Sequence, residues 1–317
     1  MAAVSPSRPH RGPRLLLDLP LWAVAAVTLV GFAGRWHWLF DLASHFRWYW
    51  LLAALVWFAL AGRWLGRLAI LSLLVAVVGN AAVILPYWLP PGDCPATGEA
   101  VRIVSLNLLI DNPDRERGVA YLRDCDADVV VLLEVDDGWA RGLESLADRY
   151  PHRVVESRAD PFGIAVLSRL PLVEARTVPL ADGPPVIVAR IMRNSAAFLL
   201  VAAHPPSPMS AESAARRDAQ LAAIGDLAAA SPWPVVVAGD LNATPWSHGF
   251  RRLVDRGRLR DSARGRGVQA TWHAALLFPR IPIDHVLVSE GVGVAARTVG
   301  RDVGSDHLPV EATLVLP

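Results

Sequence analysis

Three apolar stretches crowd the first ninety residues of this chain, at about Leu19 to Phe40, Trp48 to Ala61 and Leu68 to Leu89. A bilayer crossing needs about 20 consecutive apolar residues, and the third stretch meets that length unaided. The first is interrupted by Arg35 and His37 but flanked by Trp22, Trp36 and Trp38, and the second carries Trp48, Tyr49, Trp50 and Trp57. Aromatic rings of this kind settle at membrane–water interfaces, so the stretches read as three spans. Composition agrees, since 53% hydrophobic and 19% charged residues make the chain more apolar than an ordinary soluble protein. A cleaved leader peptide accounts for one such segment but not for three, and the region from Gly31 to Arg35 carries no small-residue cleavage pattern.

Arginine placement suggests an orientation. Arg8, Arg11 and Arg14 precede the first stretch, and Arg63 and Arg67 separate the second from the third, which puts both segments on the cytoplasmic side by the positive-inside rule. Everything beyond Leu89 then lies outside. Pro86, Pro90, Pro91 and Gly92 stop the third stretch. The expected organisation is a cytoplasmic tail over residues 1–18, a membrane region over 19–91, a linker over 92–100 and a separate domain over 101–317. Asn80, inside the third stretch, reads as a helix-packing contact. The net charge is only +1, without a single lysine, and arginine and aspartate alternate through the second half. No broad basic surface for a polyanion follows from that pattern. Cys94 and Cys125 are too few for a zinc site or a disulfide scaffold. A single bridge between them and packing of Cys125 beneath a strand both stay open.

From Val101 the pattern changes to short β-branched or leucine-rich runs at Val101 to Leu108, Val129 to Glu134, Gly163 to Leu167, Val186 to Ile191, Ala197 to His204, Val235 to Asp240, Ile283 to Val288 and Val310 to Leu316. Each reads as a strand buried on at least one face. Helical patterns fit between them at about Arg115 to Asp124, Ala140 to Arg149, Ala211 to Ala229 and Ser247 to Arg256, with Ser210 as a helix start. The expected fold is a two-sheet α/β sandwich behind an α-helical membrane region.

Polar residues stand at or just beyond the ends of these strands: Asn107, Glu134, His204, Asp240 with Asn242, Asp284, and Asp306 with His307. Each alone has a structural explanation, as a turn former, an exposed strand end or a capped terminus. Together they recur at one end of the strands, where a sandwich gathers distant positions. His285, next to Asp284, faces the opposite side of its strand and reads as packed or exposed.

These residues resemble the endonuclease/exonuclease/phosphatase superfamily, which has a deoxyribonuclease I-like fold and includes a membrane-anchored bacterial branch. The resemblance is collinear over about two-thirds of the chain. Ser105-Leu106-Asn107 is similar to its first-strand asparagine motif, Leu133-Glu134 to its metal-binding glutamate, and Phe162 to Arg169 to its glycine-led second-sheet entry. His204, Gly239-Asp240-Leu241-Asn242, Ile283-Asp284-His285 and Ser305-Asp306-His307 with Pro309 follow in the family's order.

The resemblance implies a hydrolase of phosphate esters or phosphoanhydrides. Glu134, with Asn107 and Asp306, would hold one Mg²⁺ or Mn²⁺, a hard cation suited to oxygen ligands. His307 backed by Asp284 would activate water or stabilise phosphoryl oxygens, Asp240 and Asn242 would align water or phosphate, and His204 would donate to a phosphoryl or leaving oxygen. Three readings of the substrate stay open. A membrane lipid phosphate at the outer face fits the tether and the apolar segment Trp272 to Ile281, which either reaches lipid or packs on the sandwich. A nuclease would use the arginines at 251, 252, 256, 258, 260, 264 and 266, a run diluted by Asp255 and Asp261. An inactive binding module is the third. No obligate protein partner is implied.

Overall fold

The computed structural model describes residues 11–90 and 98–317, and the chain divides into two compact units, Met1–Leu85 and Pro86–Pro317. The first unit holds α1 (Arg11–Phe32), α2 (Trp38–Ser44), α3 (Arg47–Ala61) and α4 (Arg67–Ile84), of which α1, α3 and α4 meet around Leu21, Ala54, Ala61, Leu65, Ala69 and Ala76. Small side chains at these seams let the helix backbones approach closely. Asn80 of α4 donates to Thr28 of α1 at 2.8 Å and accepts from Arg47 of α3 at 3.3 Å. One buried amide thus joins three helices, the packing role its position suggested.

Among the described residues, two helices are long and apolar enough to cross a membrane. They are Arg14–Phe32, 19 residues with a mean hydropathy of 2.0, and Arg67–Tyr87, 21 residues with 2.6. Only 28% and 22% of them is buried, where the core helix of a soluble protein would be mostly hidden. The middle stretch, expected as a third span, forms α3 of 15 residues. At 1.5 Å per residue it reaches about 22 Å, short of the ~30 Å hydrocarbon core.

The second unit holds twelve strands among the described residues: β1 (Glu99–Asn107), β2 (Val129–Leu133), β3 (His152–Glu156), β4 (Ile164–Ser168), β5 (Leu172–Pro179), β6 (Pro185–Arg193), β7 (Ala196–Ala202), β8 (Val235–Asp240), β9 (Leu259–Asp261), β10 (Asp284–Ser289), β11 (Gly293–Val299) and β12 (Val310–Leu316). They form two mixed six-stranded sheets, ordered β11-β12-β1-β2-β4-β3 and β5-β6-β7-β8-β10-β9. The expected α/β sandwich is the observed fold. Every strand anticipated from the sequence is present, and the four that were not, β3, β5, β9 and β11, are the four sheet edges.

Helices α5 (Arg115–Asp124) and α6 (Asp137–Glu144) cover the first sheet through Leu106, Leu122, Leu132, Trp139 and Leu143, and α7 (Ala211–Ala230) and α8 (His248–Gly257) cover the second through Val237, Leu221, Ile224, Phe250 and Leu253. Helix α6 begins three residues before its expected start because Asp136 caps it, accepting from the Trp139 amide at 2.7 Å. Ser210 starts α7 as expected, in a reciprocal pair with Ser213.

The core between the sheets has the two-residue period of pleated strands. Val101 and Ile103 of β1, Phe198, Leu200 and Ala202 of β7, Val236 and Ala238 of β8, and Val286 and Val288 of β10 all point into it. Extending each series by one or two steps at the same end of the sandwich reaches Asn107, His204, Asp240 and Asp284. The register agrees, since Asp284 lies opposite Asp240 and β12 enters beside the end of β1 with Val310 opposite Ser105. Gly239 makes the approach of β7 and β8 possible there. Its φ is +151°, and a Cβ would lie 1.9 Å from the Ala203 carbonyl oxygen. Gly239→Ala is therefore expected to cost about 3 kcal/mol, read as a lower midpoint in chemical unfolding of the full chain in detergent; an unchanged midpoint would contradict this account.

Candidate active site

Asp240 is the hub of the rim. It is buried at the end of β8, and its Oδ2 lies 3.3 Å from Asn107 Nδ2, 3.4 Å from His204 Nε2 and 3.6 Å from His307 Nε2. Its Oδ1 accepts from the Asn242 amide at 2.9 Å, which closes the strand into a tight turn. Asn242 has φ +48°, and its side-chain amide donates to the Pro205 carbonyl at 3.0 Å. The turn after β8 is thereby tied to the turn after β7.

Glu134 follows a residue that points into the core, so regular pleating would send it outward. Its φ of +61° turns it back. Oε1 then accepts from Asn107 Nδ2 at 2.9 Å and Oε2 from the Ile110 amide at 3.0 Å. Asn107 bridges the carboxylates of Glu134 and Asp240, one from each sheet.

His307 precedes β12, and its Nδ1 lies 2.8 Å from Asp284 Oδ2. Burial opposes a charge on this ring, but the Asp284 and Asp240 carboxylates outweigh burial and raise its pKa to about 10. Burial likewise pushes Asp240 upward, and the two imidazoles overcome that and lower it to about 2. His204 is raised in the same manner, with burial opposed by Asp240 and, less, by Glu134. Its Nδ1 meets the Pro161 carbonyl at 3.1 Å, so that nitrogen carries one proton, and the raised pKa favours a second on Nε2, which faces Asp240.

Asp306 joins this group less directly. Its Oδ2 accepts from Trp272 Nε1 at 3.0 Å, and its Oδ1 lies 4.0 Å from His307 Nε2. Asp306 Oδ1 and Asp284 Oδ1 are buried acceptors with no hydrogen-bond donor, the condition a bound cation relieves. Asp240, Asp284 and His307 each place one ligand atom within 4.8 Å of the others. A charged His307 that already holds Asp284 is a poor ligand, so the oxygen donors are the better fit, and an all-oxygen set suits a hard divalent ion.

All eight residues anticipated from the sequence therefore lie along one rim, although Asp306 meets His307 and Trp272, and no contact joins it to Asn107 or Glu134 among the described residues. Sequence reasoning did not anticipate Trp272, nor the cluster beneath β10. His285 packs there, as expected, with its ring centroid 4.5 Å from that of Phe250, and it donates through Nε2 to the Ala243 carbonyl at 2.9 Å. Its Nδ1 lies 3.6 Å from Asp261. Asp261, read from sequence as one charge diluting an arginine run, is buried and accepts from the Tyr87 hydroxyl at 3.2 Å. The Tyr87 ring stands edge-on to the buried Trp246 at 6.2 Å. Cys125 is half-buried with Sγ 3.6 Å from the Tyr150 hydroxyl; Cys94 lies outside the described residues, and with it the proposed bridge.

The model of the endonuclease/exonuclease/phosphatase family matches residues 104–307, a segment that contains every rim residue. The chain belongs to this family. Its members are metal-dependent hydrolases of phosphoester bonds. Among solved structures, a family member from Beutenbergia cavernae DSM 12333 is 26% identical with a TM-score of 0.58, over 68% of this chain and 72% of that one. Sphingomyelinase C from Streptomyces griseocarneus shares the fold at 22% identity and a TM-score of 0.53, over 68% and 99%. The D. rerio TDP2 complex with a single-strand DNA product does so at 19% and 0.57, over 68% and 99%. Comparison with curated proteins finds no match.

Two outcomes follow. A histidine whose folded pKa is raised stabilises the fold fully below its unfolded value of about 6.5, and that contribution is lost as pH rises through about 10. Metal-free protein should lose thermal stability across that window, and Asp284→Asn should flatten the loss; an equally steep slope in the variant would contradict the pairing. Tyr87→Phe keeps the ring on Trp246 but leaves Asp261 short of a donor, and should cost about 1–3 kcal/mol of unfolding free energy, measured by denaturant titration.

Proposed function

We propose that this chain is a membrane-anchored phosphoesterase that uses Mg²⁺ or Mn²⁺ to hydrolyse a phosphate or pyrophosphate group of a membrane lipid, at the extracytoplasmic face. The observation that carries the chemistry is the buried Asp240 ringed by Asn107, His204 and His307 beside Glu134. Support for a lipid substrate comes from the two apolar helices ahead of the rim. The outward orientation rests on the arginines around the apolar stretches and on an odd number of crossings, the α3 segment with the turn that follows it completing the third; a reporter fused after Pro317 tests it, with cytoplasmic signal as the contrary result.

Glu134, Asn107 and Asp306 are the residues that would hold the cation. A bound Mg²⁺ neutralises charge on phosphoryl and leaving oxygens. His307, held charged by Asp284, presents a positive edge to a phosphoryl oxygen and is better suited to stabilising developing charge than to taking a proton. His204 offers Nε2 to a second phosphoryl or leaving oxygen. Asp240 and Asn242 orient the attacking water, and with a pKa near 2 Asp240 stays ionised throughout the working range.

The nuclease reading is less well supported. Arg256 is paired with Asp226, Arg260 with the Val292 carbonyl, and Arg266 with the carbonyls of Ser262, Arg264 and Val294, so three of the seven arginines in the run are engaged within the fold.

Full-length protein in detergent, supplied with Mg²⁺, should hydrolyse polyprenyl pyrophosphate or a phosphoinositide-like lipid and lose activity on chelation. His307→Ala should lower kcat by about 10²–10⁴. Turnover of single- or double-stranded DNA alone would overturn the lipid reading, and no metal-dependent hydrolysis of any ester would point to the inactive module.

A further inference from the structure

Between the half-buried Trp272 and the buried Ile281, the middle of this segment leaves its apolar side chains exposed. Leu276 is 43%, Leu277 94% and Phe278 62% exposed, three large apolar residues in a row. Soluble surfaces show such side chains singly, and a contiguous exposed set marks a contact surface.

This tip is firmly mounted. At its base Trp272 and Ile281 exchange backbone hydrogen bonds at 3.0 and 2.5 Å. Across it, Arg280 donates to the carbonyls of Leu276 at 2.9 Å, His273 at 3.3 Å and Ala274 at 2.5 Å. The same loop is bound to both neighbours of His307. The Ala274 amide donates to the Asp306 carbonyl at 2.6 Å, Trp272 Nε1 to Asp306 Oδ2 at 3.0 Å, and the Leu308 amide to the Thr271 carbonyl at 3.1 Å.

Tyr87 and Trp88, at the start of the second unit, are tied to the approach to this loop. The candidate span Arg67–Tyr87 finishes at Tyr87, whose carbonyl accepts from the Gly267 amide at 2.6 Å. Gly267 precedes Trp272 by five residues, and five residues reach at most about 18 Å. Trp88 and Leu89, which follow, are 55% and 51% exposed, and the Trp88 ring lies against Gly267. A tryptophan just beyond an apolar helix is typical of the membrane interface.

We infer that the tip Leu276-Leu277-Phe278 enters the surface of the bilayer that receives the apolar helices, and that it holds the Asp306–His307 segment at the level of lipid headgroups. The inference rests on the proposed membrane reading and narrows it, because a rim fixed at headgroup depth selects phosphates presented by lipids. A soluble phosphodiester reaches the rim without help from the tip, whereas a vesicle-borne phosphate reaches it only when the tip is seated.

The test uses the full chain reconstituted in phosphatidylethanolamine/phosphatidylglycerol vesicles. A nitroxide is placed at position 277 by Leu277→Cys in a Cys94→Ser, Cys125→Ser background, with a second label at exposed Val173 on β5 as control. Accessibility to oxygen above that to a water-soluble nickel chelate is expected at 277, with the reverse at 173. In parallel, Leu277→Asp/Phe278→Asp should raise KM for vesicle-borne lipid phosphate at least about tenfold and leave kcat on bis(p-nitrophenyl) phosphate within about twofold. Water-like accessibility at 277, dipolar coupling between labels on two copies, or equal loss on both substrates would each overturn the inference. Lipid-like accessibility without hydrolysis of any vesicle-borne phosphate would uphold the tip and overturn the lipid-substrate reading.

Discussion

A carboxylate closed into the open end of a β-sandwich organises the whole second unit. Asp240 occupies the next inward position after Val236 and Ala238, so the alternation that builds the core also delivers a charge to its edge. A buried anion is tolerable only when donors surround it. Asn107 comes from one sheet, His204 from the neighbouring strand, and His307 from the entry to β12. Meeting that requirement draws six strand ends to one place. The backbone irregularities concentrate there for the same reason: the positive φ of Glu134 and Asn242 and the close passage at Gly239 aim side chains that regular pleating would misdirect.

The interior of the fold was legible and its margins were not. Strands β2, β4, β8 and β10 are buried on both faces and carry near-continuous apolar runs, and β12 shows the two-residue alternation of a strand buried on one face. The edge strands β3 and β5 alternate or expose their side chains, β9 is only three residues long, and β11 is interrupted by a bulge. Edge positions are half solvated, and nothing in composition separates them from loops. The early start of α6 is a subtler case, because Asp136 is one of two adjacent aspartates and either could have served as the cap.

The rim was readable because polar side chains interrupt apolar strands at corresponding ends, a pattern that survives without knowledge of pairing. Contacts made through loops left no such trace. Trp272 reaches Asp306 across 34 positions, and Tyr87 reaches Asp261 across 174. Asp261 sits among arginines in the chain yet faces a tyrosine and a histidine in space, so local charge pattern pointed the wrong way. The segment expected as a third span is apolar but forms a helix of 15 residues, shorter than the two long helices.

Tyr87 belongs to two descriptions at once. By hydropathy it is the last residue of an apolar helix, and by packing it is a core residue of the catalytic unit. The hydrophobic boundary and the structural boundary therefore overlap instead of abutting. A fragment trimmed to the residues after the apolar segment would retain every rim residue and still be incomplete, with Trp246 missing its edge-on neighbour and Gly267 its acceptor. Such a cut would remove what Tyr87 gives to Asp261 and Trp246, so the last residue of the apolar run is part of the second unit's foundation.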